Sequence, residues 1–212
     1  MTLLCLDMGG TSLKFALYQN GQLSQQSSFP TPADLESFYQ LLDQEVARYS
    51  AYHFSGIAIS SPGAVNKEKG IIEGASAIPY IHHFKIQEAL EERLHYPISI
   101  ENDANCAALA EATLGAGKGA SSLAMLVLGT GVGGSLVIDG KIYHGAHLFG
   151  GEFGFMIMNP HMQTFSQLGT VVNMAKRYSA AVNDGKAYTG KAVLMLAAVS
   201  YTHLRAHETR HD

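Results

Sequence analysis

Two stretches of this 212-residue chain share one pattern. Residues 2–18 read TLLCLDMGGTSLKFALY and residues 122–138 read SLAMLVLGTGVGGSLVI. Each is a short apolar run, a glycine-rich turn and a returning apolar run, so each reads as a strand, a turn and a second strand. The strands are placed at Thr2–Leu6, Leu13–Tyr18, Leu123–Leu128 and Ser135–Ile138. A pattern that restarts this way points to two related lobes, with the boundary near Gly115–Ser121.

The segments between the two openings complete an α/β order. Gln22–Phe29 is a third strand after the hairpin signal Asn20-Gly21. Thr31-Pro32 opens a helix whose Leu35, Phe38, Leu42, Val46 and Tyr49 follow helical spacing. Gly56–Ser60 is a strand ending in the turn Ser61-Pro62-Gly63. Ile86, Leu90 and Leu94 mark a second helix, Pro97–Ile100 a strand, Ala104–Leu114 a third helix and Val172–Ala181 a fourth.

Composition narrows the function classes. With 47% hydrophobic and 15% charged residues the chain is globular rather than disordered. A net charge of −4 offers no general attraction to nucleic acid or an anionic membrane. Cys5 and Cys106 both sit in apolar contexts, which argues against a disulfide framework and for a reducing, cytoplasmic setting. The N-terminus has no basic leader, and no apolar run reaches the roughly 20 residues of a membrane helix.

Three polar constellations carry chemistry. In the first loop, Gly9 and Gly10 let a ligand approach backbone N–H groups, Thr11 adds a hydroxyl and Asp7 a carboxylate able to hold a metal-bound water. The second loop, Leu128–Leu136, offers N–H groups and the Thr130 hydroxyl. Either loop alone also reads as an ordinary hairpin. Gly129–Gly134 literally matches G-x-G-x-x-G, with Glu152 near the ribose-binding spacing, but a Rossmann-type oxidoreductase needs a helix next, and Ser135–Ile138 reads as a strand. In the segment SIENDANCAALAEA, Asp103 precedes a helix and suits an N-cap. Capping does not account for Glu101, Asn102 and Asn105 crowded beside it, and a carboxylate at a strand's C-terminal end can take a proton from an attacking hydroxyl. In GGEFG, Glu152 reads either as an exposed turn acid or as an acceptor for vicinal hydroxyls.

Taken together, these segments resemble the ROK family of sugar kinases and related repressors. DMGGTSLKFAL is similar to its first phosphate loop, SSPGAVN to its Pro-Gly loop beside the sugar, and AIPYIHHFKI to the segment that follows. ENDAN is similar to its catalytic segment, LGTGVGGSLV to its second phosphate loop, and FGGEFGFM to its sugar-binding turn. The resemblance runs from about Leu3 to about Tyr178. It implies the actin-like, ribonuclease-H-like ATPase fold of two lobes around a cleft, and ATP-dependent phosphorylation of a hexose. It also implies Asp103 as general base, Asn102 and Glu152 as sugar contacts, and Gly63 and Ala64 lining the sugar site. Asp7, Gly9, Gly10, Thr11, Thr130 and Gly131 would then hold ATP and Mg²⁺, with Lys14 at a basic position of the first motif. A homodimer is the assembly implied.

The chain departs from the family pattern in places. Phe155 stands where many members carry a histidine, residues 154–198 hold no cysteine for the usual zinc cluster, and no glutamate lies between Glu152 and Glu208. The expectation is a zinc-free branch acting on glucose, a β-glucoside or N-acetylmannosamine. A sugar-binding ROK-type regulator without turnover is the alternative, against which the presence of Asp103 argues. Residues 199–212, VSYTHLRAHETRHD, contain H-E-x-x-H, but no third ligand follows it. The stretch instead resembles one reading frame of a transposase-type sequencing adapter. The expected organisation is therefore an N-terminal lobe at 1–115, a partial C-terminal lobe at 116–198 and a non-native tail at 199–212, a truncated chain with its second lobe incomplete.

Overall fold

The computed structural model describes residues 1–129 and 131–198. Thr130 of the second loop and residues 199–212, on which the expectation of a non-native tail falls, lie outside the described residues. The chain opens with β1 (Thr2–Met8), β2 (Ser12–Gln19) and β3 (Gln22–Pro30), followed by helix α1 (Leu35–Tyr49). Strand β4 (Ile57–Ser61) leads to a small hairpin, β5 (Ala64–Asn66) and β6 (Ile71–Glu73). Then come α2 (Ile86–Leu94), β7 (Ile98–Asn102) and α3 (Asp103–Thr113). The second opening forms β8 (Ser122–Leu128), β9 (Val132–Ile138) and β10 (Lys141–Ile142), followed by α4 (Phe165–Gly169) and α5 (Val171–Val182).

The first sheet has the order β3-β2-β1-β4-β7. β1, β2 and β3 pair antiparallel, and β1, β4 and β7 run parallel. Strand alternation decides its faces. Leu4, Leu6, Leu13, Phe15, Ile57, Ile59, Ile98 and Ile100 point into one core with Phe38 and Leu42 of α1 and Ile86 and Leu90 of α2. The opposite face carries Cys5, Asp7, Lys14, Ser60 and Glu101. At the β2–β3 turn, Asn20 and Gly21 have φ of 53° and 82°, the positive pair that a two-residue hairpin demands.

Two local readings need correction. Helix α1 begins at Leu35, not at Thr31-Pro32, because extended Asp34 caps it by accepting the Ser37 N–H at 2.8 Å. The second glycine loop is shorter than the run of glycines suggests, since β9 already starts at Val132 and contains Gly133 and Gly134. A Cβ on Gly134 would lie 2.3 Å from Phe153 Cδ2 and 2.4 Å from the Gly151 carbonyl. Glycine there lets the 150–154 turn press onto the strand. A strand after the loop also removes the helix that a dinucleotide fingerprint needs.

The second sheet has the order β10-β9-β8, with Leu126, Val127 and Leu128 of the edge strand β8 exposed. Helix α3 packs against β8 and β9 as well as β4 and β7, so it is the element both sheets share. Among the described residues no helix is long and apolar enough to cross a membrane.

Candidate active site

The parallel register places Asp7, Ser60 and Glu101 side by side near the C-terminal ends of β1, β4 and β7. That edge is where open α/β sheets bind ligands. Asp7 Oδ1 accepts the Ser60 hydroxyl at 2.9 Å, and Lys14 Nζ lies 3.3 Å from Asp7 Oδ2.

Glu101 is buried and its two oxygens take four donors. Oε1 accepts the Asn102 N–H at 2.8 Å and Asn105 Nδ2 at 3.0 Å. Oε2 lies 2.6 Å from Lys67 Nζ and 3.0 Å from His144 Nε2. Burial by itself would raise its pKa, but the bonds from Lys67, Asn105, the Asn102 N–H and His144 together hold it below the usual carboxylate value. Asn105 passes the network on by accepting the buried Ser135 hydroxyl of β9 at 2.6 Å.

Asn102, not Asp103, is the N-cap of α3. Its Oδ1 accepts the Asn105 N–H at 3.1 Å, while its Nδ2 donates to the Gly63 carbonyl at 3.0 Å. The same side chain thus starts the helix and ties it to the Pro-Gly turn. Gly63 has φ of 97°, and a Cβ there would lie 2.8 Å from Ile72 Cγ2 and 2.9 Å from His82 Cε1. Only glycine suits both the backbone and the space.

Asp103 is the first residue of α3 and accepts the Ala104 N–H at 2.8 Å. The residue is exposed, yet the surrounding protein strips part of the hydration of its carboxylate, and this with the nearby charge of Asp7 raises its pKa. Glu152 arrives from the second sheet, just before a single 3₁₀ turn at Phe153–Phe155. Its pKa is raised by burial and by the charge of Asp103. The two acids are thus coupled through their charges, and of the two Glu152 lines the small cleft.

Gly63, Ala64, Asn102 and Glu152 line one small cleft, joined by His144 and Leu148. Asp7 and Lys14 line a different groove on the sheet face, with Cys5, Ser60 and Cys106. Glu101 borders that groove as well. The first glycine turn is pinned from outside. Thr31 donates its hydroxyl to the Gly9 carbonyl at 2.6 Å and its N–H to the Thr11 carbonyl at 3.1 Å. A Cβ on Gly10 would lie 2.5 Å from the Ala77 Cβ. Gly131 accepts the Gly129 N–H at 2.9 Å, and Ser166 accepts the Val132 N–H at 3.0 Å, closing the second loop. Lys67, His144 and Ser135 are absent from the sequence-derived site because each is brought to Glu101 or Asn105 from a distant segment.

A sequence model of the ROK family matches residues 3–167. The chain is 32% identical over 186 residues to a beta-glucoside kinase of Listeria monocytogenes, covering 84% of this chain and 63% of that protein. It superposes with a TM-score of 0.82 on a ROK family protein of Streptococcus pneumoniae in complex with sucrose, at 40% identity, covering 94% of this chain and 68% of that one. A ROK family glucokinase of Streptomyces griseus in complex with glucose and AMPPNP gives a TM-score of 0.75 at 25% identity, covering 93% of this chain and 71% of that one. The chain spans about three fifths of the length of the curated relatives, 61% and 63% for two of them.

Proposed function

The chain belongs to the ROK family and has its actin-like α/β fold, and from that premise we propose that it serves ATP-dependent phosphorylation of a hexose hydroxyl, with Asp103 as general base. The observation that carries this reading is that Glu152 lines one cleft with Gly63, Ala64 and Asn102, the residue before Asp103, and that the charge of Asp103 reaches Glu152 and raises its pKa. A sugar hydroxyl placed between them would be held by Glu152 and Asn102 and would give its proton to Asp103. The hydroxyl oxygen then forms its bond to the terminal phosphorus of ATP as the bond from phosphorus to the ADP oxygen breaks, and ADP leaves. A base pKa raised toward the working pH favours this transfer.

The phosphates would lie against the two glycine loops, where the absence of side chains lets an anion approach backbone N–H groups. The donor set beside them also fits Mg²⁺. Asp7 supplies carboxylate oxygen near Asp103, which feels its charge. Mg²⁺ is bound by one or two carboxylates together with substrate phosphates, and when present would neutralise phosphate charge. The relatives named above are a beta-glucoside kinase and a glucokinase, and beta-glucosides and glucose are the acceptors proposed.

The test is ADP release by this chain with ATP and a panel of hexoses and glycosides, repeated with Asp103→Asn. The expected result is turnover that the substitution lowers by about 10²–10⁴-fold while sugar affinity moves only a few-fold. Sugar binding with no turnover in the unaltered chain would transfer the site to a sugar-sensing regulator. No sugar binding would refute the reading.

A further inference from the structure

The small cleft does not end at His144. Val65, His144 and Leu148 are shared with a second groove between the β5–β6 hairpin and the loop at 144–149. Its volume of about 570 Å³ is ample for a second ligand unit. His144 forms the sill between the two spaces, and the buried Glu101 carboxylate fixes its ring through Nε2 at 3.0 Å.

The groove's chemistry is polar but not anion-seeking. Lys67 is already paired with Glu101 at 2.6 Å, and Lys69 with Glu73 at 3.7 Å. The lining lysines, Lys67 and Lys69, are matched by the lining acids Glu68 and Glu73. A phosphate site presents uncompensated cations, and here the cations are spoken for. What the groove offers is a mixture of donors and acceptors, including Asn66, Glu68 and His147. Phe149 adds an aromatic ring that is 62% exposed and braced edge-on by Phe155, with centroids 6.4 Å apart. Hydroxyl-rich rims with apolar C–H faces are the surfaces that polar groups around an exposed ring complement.

We propose that this groove is a subsite for a second, uncharged sugar ring, so that the preferred acceptor is a neutral disaccharide or glycoside rather than a free hexose. The proposal rests on reading the adjoining cleft as the hexose site. Its first ring would lie against Asn102 and Glu152, and its second beyond His144 against Phe149 and His147.

The test is isothermal titration of the full chain with glucose, cellobiose, maltose, sucrose and glucose 6-phosphate, repeated with Phe149→Ala and His147→Ala. Both side chains are exposed, and circular dichroism checks that the variants are folded. At least one neutral disaccharide is expected to bind about tenfold more tightly than glucose. Each variant is expected to bring the ratio of disaccharide to glucose affinity toward one. If glucose binds and no disaccharide binds more tightly, or if the preference survives both substitutions, the subsite is refuted while the hexose reading stands. Tighter binding of glucose 6-phosphate than of every neutral disaccharide refutes it as well. If no sugar binds at all, the hexose reading fails and takes this proposal with it.

Discussion

Glu101→Gln isolates what a buried carboxylate does in this fold. The four donors divide evenly, with the Asn102 N–H and Asn105 Nδ2 on Oε1, and Lys67 Nζ and His144 Nε2 on Oε2. Glutamine keeps one acceptor oxygen and turns the other into a donor. The amide oxygen belongs toward Asn102 and Asn105, the more enclosed pair of donors, Asn105 being buried and Asn102 half-buried. The amide nitrogen then faces Lys67 and His144, whose side chains are 51% and 30% exposed. Lys67 can turn to solvent, so its charge-assisted bond is lost but its charge is not stranded. A bond to a charged group is worth about 1.5–3 kcal/mol, reduced by solvent at the Lys67 end, and the total cost is about 2 kcal/mol. Glu101→Leu also strands the inner donors and is expected to cost about 4 kcal/mol. Urea unfolding followed by circular dichroism measures both. Because the folded pKa of Glu101 is lowered, its contribution is fully present above the ordinary carboxylate value of about 4.3 and is lost as pH falls through the lower folded pKa. The gap between the unaltered chain and Glu101→Gln should therefore be constant from pH 8 to about pH 5.5 and close in acid. A loss below about 0.5 kcal/mol at pH 7, or one that does not change with pH, would refute the reasoning.

Three further outcomes follow from the same geometry. Gly63→Ala must place a Cβ 2.8 Å from Ile72 Cγ2 at a φ of 97°, and overpacking plus the backbone penalty is expected to cost about 2–4 kcal/mol in urea unfolding. The Cys106 thiol is pushed up to about 11 by burial and by the charge of Glu101; at pH 8 its reaction with a disulfide reagent should be roughly a hundredfold slower in the folded chain than in urea. Asp103 has a raised pKa, and a base must be deprotonated to act. The acid limb of turnover should therefore fall below a pKa higher than that of an ordinary aspartate, and Asp103→Asn, which removes a partly desolvated charge, should not lower the melting temperature.

Much of this architecture is legible in local periodicity. Alternating residues of β1 and β2 sort themselves onto two faces without any distant information, and Phe38, Leu42, Val46 and Tyr49 do the same on α1. What failed were features decided by tertiary contact. The strand residues Gly133 and Gly134 look like loop because glycine is the usual mark of a turn, whereas here it makes room for the 150–154 segment. The hairpin β5–β6 pairs strands of only three residues, too short for alternation to stand out. The cap of α3 moved from Asp103 to Asn102 because both residue types cap helices, and the bond from Asn102 to the Gly63 carbonyl, 39 residues away, selects the second.

The same reasoning separates the two acids of the ENDAN segment. Both lie where a strand meets a helix, and composition treats them alike. Strand alternation turns Glu101 onto the sheet face beneath α3, where Lys67 and His144, the latter 43 residues away, converge on it. Fully satisfied, it is held ionised and spends its capacity on fixing Asn102 and Asn105. Asp103, two residues on, has left the strand and is exposed, with the Ala104 N–H bonded to it and the charges of Asp7 and Glu152 near enough to interact with its own. Its environment pushes its pKa the other way. Neighbouring carboxylates driven apart in this manner divide the work between them. Glu101 sets the geometry through the polar chain that reaches Ser135 on the second sheet, and under the proposed function Asp103 is the acid that would accept a proton.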